Sequence, residues 1–192
     1  MLGIIKKYLI SPLEQHRKIR YWCGDESRFG LQTVKGRLIT LRGVKPIGYS
    51  QWKRDNFYIY GVIEPLTGDR FALEFSHLDS ICFGMFLENL ARLYPEDIHI
   101  IQVDNGAFHF SKYLRVPENI ILLFQPPHTP EVNPIERLWK EIKKSLNWEC
   151  FQTLDELKEV VWKQLDKLTT SQIQSIAGWD FILEALFVSK IS

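Results

Sequence analysis

Asp25, Asp104 and Glu136 are the residues of this chain whose types and placement could do chemistry together. Asp25 and Asp104 each follow directly on a short hydrophobic run, KIRYWCG and DIHIIQV. An acid at a strand's carboxyl end is held by a rigid element and stays open to solvent, where α/β sheets place ligand chemistry. Between Asp25 and Asp104 lie 78 residues, and between Asp104 and Glu136 lie 31. Three acids from two strand ends and one helix can converge on one point. Without a cation they would repel one another and raise each other's pKa. Oxygen-only ligands of this kind suit Mg²⁺ or Mn²⁺. Two such ions about 3.5–4 Å apart activate a hydroxyl nucleophile and stabilise the leaving oxygen in phosphodiester chemistry.

The element that must position Glu136 is read from residues 126–144, PPHTPEVNPIERLWKEIKK. Pro126, Pro127, Pro130 and Pro134 forbid helix until the last of them, which suits a first helical position. Asn133 is then the expected N-cap, with Glu136 three residues on as a capping-box acid. Ile135, Leu138, Trp139, Ile142 and Leu146 recur at helical spacing as a buried stripe, leaving Glu136, Lys140, Lys143 and Lys144 on a polar face. Taken alone, Glu136 would be read as a complement to the helix dipole. Its two upstream acids change that reading.

The other elements follow in chain order. Strands are expected over residues 18–24, 56–64, 69–76, 97–103 and 119–124, and the turn Pro65-Leu66-Thr67-Gly68 joins the second and third. Residues 27–55, punctuated by five glycines and prolines, read as a basic hairpin or loop. Helices are expected over residues 78–94, in a short piece over 108–114, from Thr153 with Glu156 as its capping-box partner, and in part of 171–191 with a break near Gly178. The order predicts an α/β fold, a three-strand meander plus two further strands in one mixed sheet flanked by helices. Residues 1–17 read as a short lead-in, 18–150 as the core and 151–192 as a helical extension packed on it.

Composition sets the frame. A hydrophobic content of 45% and an aromatic content of 13% point to a globular domain, and 192 residues suffice for one full core. Cys23, Cys82 and Cys150 show no CxxC spacing, which argues for a reducing cytoplasm and against a zinc module or disulfide framework. No stretch approaches transmembrane length. The net charge of +1 hides an asymmetry, because residues 1–55 hold 12 Lys/Arg against 4 Asp/Glu. A basic front part suggests a polyanionic partner.

Three blocks carry a family resemblance: GDESRFG around Asp25, VDNGAFH around Asp104 and TPEVNPIERLWKEIK around Glu136. They resemble the signature blocks of transposases of the IS630/Tc1-mariner superfamily, whose catalytic core is RNase H-like and bears a DDE or DDD triad. The resemblance runs over residues 20–146, and the last block is the most specific. It implies that Asp25, Asp104 and Glu136 are the catalytic triad and hold two Mg²⁺ (or Mn²⁺) ions. It further implies cleavage of transposon ends by activated water, then attack of the freed 3′-hydroxyl on target DNA. Such enzymes generally act as dimers on DNA, here in the cytoplasm at the nucleoid. Two departures stand out: the helix-turn-helix region that precedes the core in full-length relatives is not expected here, and Ile39 replaces a tryptophan common after the GR pair.

Other residues are secondary candidates. Arg37, Arg42, Lys45, Lys53 and Arg54, with Lys140, Lys143 and Lys144, are expected to contact phosphates. Asn105 and His109 are auxiliary candidates, and His128 is a weaker one. Strand alternation puts Glu26 on the opposite face from Asp25 and outside its ligand set. Trp139, Trp148 and Trp162 are expected in the core, with Trp52 the exception. Besides a DDE strand-transferase, the sequence admits a non-catalytic DNA-binding remnant or accessory protein, or an RNase H-like nuclease with another substrate.

Overall fold

One mixed sheet of five strands, ordered β3-β2-β1-β4-β5, carries the fold. The computed structural model describes residues 17–34, 36, 40–45, 47–126 and 133–188. β1 (Ile19–Gly30), β2 (Asn56–Ile63) and β3 (Arg70–Phe75) form the expected antiparallel meander. β4 (Ile98–Val103) and β5 (Ile120–Phe124) extend it in parallel on the other side of β1. The helices are α1 (Ser80–Leu93), α2 (Ile135–Ser145), α3 (Leu154–Lys167), α4 (Thr170–Ala177) and α5 (Asp180–Val188).

β1 corrects the sequence reading. It does not stop at Asp25 but runs on to Gly30, so only residues 31–55 connect the first two strands. The reason lies in its pairing. Ile19 to Cys23 pair with β4, whereas Cys23 to Gly30 pair with β2. Beyond Cys23 the β4 side of β1 has no partner strand, and Asp25 and Glu26 sit where the strand is paired on one flank alone. The short helical piece is likewise reduced to a 3-10 turn, Ala107–Phe110.

Alternation along the strands divides the core between the two faces. Tyr21, Cys23, Phe29, Ile59, Ile63 and Ile100 pack with Ile135, Trp139 and Ile142 of α2 and with buried residues of α3, α4 and α5. Trp22, Tyr60, Val62, Ile101 and Val103 pack on the other face with Phe83, Phe86, Leu87 and Leu90 of α1. Gly61 makes the first layer possible. A Cβ there would stand 2.8 Å from the Trp139 ring, so only glycine lets α2 lie against the sheet directly opposite Asp25.

At the end of the sheet remote from Asp25, Arg20 ties two connections together, the β2–β3 turn and the segment before β4. Its guanidinium donates to Glu64 at 2.6 Å, Asp69 at 2.9 Å and Asp97 at 2.7 Å, and lies 3.9 Å above the Tyr94 ring. The Glu64 side chain is only 2% exposed, so without Arg20 its carboxylate would be a buried charge with the Thr67 hydroxyl as its remaining donor. Arg20→Ala should therefore cost about 3–5 kcal/mol of folding stability in urea denaturation near pH 7. A loss below about 1 kcal/mol, the scale of an exposed pair, would show that water satisfies Glu64 instead.

Candidate active site

The site forms where β1 parts from β4. Asp25 lies two residues past the last β1–β4 pair, Cys23 with Gln102, and Asp104 is the first residue after β4. The two acids therefore stand beside the same notch. α2 brings the third, since Glu136 is exposed in its first turn. Asn133 corrects the capping expectation. No side chain caps α2; instead the buried Asn133 amide donates to the Gly24 carbonyl at 2.8 Å. That bond pins the start of α2 to the residue preceding Asp25. Asn105 plays a similar part for Asp104, donating to the Gln125 carbonyl at 2.8 Å and tying the loop after β4 to the end of β5.

An open cleft of about 930 Å³ is bordered by Asp25, Glu26, Glu136, Lys140, Lys143 and Lys144. Asp104, with its side chain 58% exposed, stands at the rim and is joined to the cleft through His109. The imidazole is buried between Phe83 and Phe108, with Nε2 at 3.2 Å from Glu26 and Nδ1 at 3.1 Å from the Asp104 carboxylate. Glu26 and Asp25 do point to opposite faces, but Glu26 is not idle. It is the residue the sequence reading set aside, and its link to Asp104 through a histidine five residues further on has no signature in spacing alone.

Electrostatics make the acids costly as they stand. Burial, reinforced by the charges of Glu26, Asp104 and Glu136, pushes the Asp25 carboxyl up to about 7. Burial also raises Glu26, against the pull of His109. Burial works against a charged His109, yet the hydrogen bond and charge of Glu26 outweigh it and the imidazole is raised. Lys143 is half-buried, and desolvation lowers it despite the opposing charge of Asp25. The donor set is oxygen-rich and its acids raise one another, the condition a hard divalent cation relieves. Among the described residues, however, no three His, Cys, Asp or Glu side chains are close enough together to hold one ion as they stand. Asp25 and Glu136 border the cleft and Asp104 lies outside its lining, close enough for its charge to act on Asp25.

The expected phosphate contacts divide. Lys140, Lys143 and Lys144 border the cleft, Lys144 also lying 3.8 Å from Glu141. Lys53 and Arg54 are exposed on the β1–β2 connection, where Lys53 donates to the Gln152 carbonyl at 2.8 Å. Arg42 and Lys45 are exposed and border neither this cleft nor the smaller groove beside it. Arg37 and His128 lie outside the described residues. Trp139 is core as expected, Trp148 and Trp162 are half-buried, and Trp52 is 72% exposed.

Residues 20–158 match the family model of the DDE superfamily endonucleases. The chain belongs to this family. Over 128 residues it is 27% identical to the uncharacterized protein y4pE/y4sA of Sinorhizobium fredii (strain NBRC 101917 / NGR234), covering 66% of this chain and 85% of that protein. Over 144 residues it is 26% identical to the insertion element IS630 uncharacterized 39 kDa protein of Shigella sonnei, covering 71% of this chain and 42% of that one. Among solved structures it is similar to the Mos1 transposase paired-end complex with left transposon end, with TM-score 0.64, 14% identity and coverage of 92% and 55%. It is likewise similar to the Mos1 strand transfer complex, with TM-score 0.65, 14% identity and coverage of 91% and 54%. The fold is thus the RNase H-like one implied by the three sequence blocks, and the IS630/Tc1-mariner resemblance holds. The chain spans less than half of the Shigella sonnei protein and about half of the Mos1 chain. Among the described residues no helix is long and apolar enough to cross a membrane.

The raised groups fix the sign of a pH dependence. Asp25, Glu26 and His109 all bind protons more tightly folded than unfolded, so each contributes stability that is lost as pH rises through its folded pKa. In EDTA, the melting temperature should fall as pH rises from about 5 to 8, and the Asp25→Asn variant should show a shallower decline. Because burial lowers His99 and makes its contribution grow with pH over the same window, the deciding comparison is between the two proteins, and a profile unchanged by Asp25→Asn would contradict the burial of Asp25.

Proposed function

We propose that the chain is the catalytic core of an insertion-sequence transposase, cutting DNA and joining the freed 3′ end to target DNA. The observation that supports this reading is that Asp25 and Glu136, from two separate elements, border one cleft with a lysine-bearing wall, while Asp104, from a third, is near enough for its charge to raise Asp25. Mos1 relatives in complexes with Mn and with Mg support the use of a divalent ion. Asp25, Asp104 and Glu136 are assigned as its ligands, with Mg²⁺ or Mn²⁺ bound as a pair. Bound there, the ions would supply Lewis acidity that generates the nucleophile and stabilises the leaving oxygen.

The chain's own residues do the rest. Asp25 must give up its proton to ligate, so ion binding strengthens as pH rises through about 7. Lys140, Lys143 and Lys144 hold the phosphodiester against the acidic wall. Glu26 and His109 orient the Asp104 carboxylate, and Asn105 holds its loop. Two copies are proposed to act together on DNA, as the family resemblance implies.

Nicking of supercoiled plasmid in Mg²⁺ or Mn²⁺ tests the assignment. The wild type should nick, and Asp25→Asn, Asp104→Ala and Glu136→Gln should each lose at least about a hundredfold while remaining folded. Retained nicking by Asp104→Ala would sink the triad. Salt-sensitive DNA binding with no nicking by the wild type would favour a non-catalytic, accessory role. His109→Ala should weaken Mn²⁺ binding about 10–100-fold, read from the EPR signal of free Mn²⁺, as expected for a residue orienting a ligand. Unchanged Mn²⁺ affinity would leave His109 as packing between Phe83 and Phe108.

A further inference from the structure

Beside the catalytic cleft runs a second, smaller groove of about 230 Å³ along the outer half of β1. Arg28 and Phe29 line it from the strand, Lys53 and Arg54 from the β1–β2 connection, and Lys143 from α2. Lys143 borders both, so the two are continuous around its side chain. Four cations face a single acid in this lining, Asp55. Arg28 and Arg54 have no ion-pair partner among the described residues. Lys53 spends one N–H on the Gln152 carbonyl and keeps two.

Solvated surface cations would need no further account, but two features do not fit that description. Lys143 is half-buried with its Nζ 5.4 Å from the Phe29 ring centroid, an ammonium kept partly out of water where a phosphate would compensate it. The groove is also built rather than floppy. The Trp148 indole donates to Gly36 O at 3.2 Å, and the Gln51 amide donates to Leu31 O at 2.6 Å and Phe151 O at 2.7 Å, stitching the connection to the chain after α2.

We propose that this groove holds the unpaired flank of the DNA strand that is cut in the catalytic cleft. Arg28, Lys53 and Arg54 take its phosphates, Lys143 marks the junction, and the exposed Trp52 next to Lys53 stacks on a base. A basic groove with an adjacent aromatic is how proteins track a single strand. From Asp25 to Arg28 the strand rises about 10 Å, and although alternation turns the two side chains to opposite faces, Arg28 borders the groove. The proposal rests on the DNA-cutting function above.

The test is fluorescence anisotropy in Ca²⁺, comparing duplex DNA bearing a single-stranded overhang with the same duplex made blunt. Arg28→Glu and Arg54→Glu should weaken binding of the overhang form about tenfold more than the blunt form, and lower its salt slope by about 0.7 per lost contact. Trp52→Ala should weaken the overhang form about fivefold or more without changing the slope. Lys163→Glu, an equal charge change on exposed α3, should leave the preference intact. Equal weakening of both DNA forms, or wild-type binding by both arginine variants, overturns the groove assignment. Plasmid nicking run alongside separates the two failures. Wild-type nicking with unchanged overhang preference in the variants overturns the groove alone, whereas neither nicking nor binding by the wild type overturns both.

Discussion

The divided pairing of β1 is the constraint from which the site follows. A strand that kept both neighbours along its whole length would bury Asp25 and Glu26 in a closed sheet, at a prohibitive cost for two adjacent carboxylates. Because β4 ends at Val103 while β1 continues to Gly30, the sheet has a step, and the acids stand on the step. The same step puts Asp104 beside them without any further device. Extending β4 by two paired residues would remove the site while leaving a better sheet.

Stability and function are placed at opposite ends of the sheet. At one end Arg20 satisfies Glu64, Asp69 and Asp97 with near-ideal geometry, so that charges which would be costly alone hold two connections in place. At the other, Asp25, Glu26, Asp104 and Glu136 are gathered with His109 between Glu26 and Asp104, and burial, reinforced by the neighbouring charges, pushes the Asp25 carboxyl up to about 7. Groups so far from their ordinary protonation are what a functional site looks like in a fold that is otherwise well satisfied. The rigid end supplies the fixed frame against which the acidic end can be held unrelieved.

Local signals carried the sequence reading far, and its failures share one cause. Turn residues, apolar periodicity and capping acids located all five strands and the main helices, because those signals act within a few residues. Thr153 caps α3 through the Glu156 N–H as anticipated, yet the Glu156 carboxylate accepts from Gln152 and not from Thr153. Asn133 was read as a cap because capping is the local use of such a residue, whereas its partner is Gly24, 109 residues away in sequence. The charged pair Asp25-Glu26 looked like a strand terminus because the partner that keeps it extended, β2, lies beyond the basic connection. The Arg20 network and the Glu26–His109–Asp104 link join residues that only the folded sheet brings together. Long-range polar bonds leave no period or spacing to read.

The lysine wall shows how apolar packing sets the chemistry of a polar face. Successive residues of a helix turn by about 100°, so the directions of Lys140, Lys143 and Lys144 are fixed once the apolar stripe is fixed. Two contacts fix it here. Trp139 seats against Gly61, where no other residue fits, and Asn133 bonds to Gly24. Both anchors lie beside Asp25, since Gly24 precedes it and Gly61 pairs with it across the sheet. Any slip of α2 would therefore be resisted at the point where it would most disturb the relation between Glu136, the lysines and Asp25. The cleft's two opposed charges, acids that call for a cation and lysines that call for a phosphate, are held in register by a glycine and an asparagine that carry no charge at all.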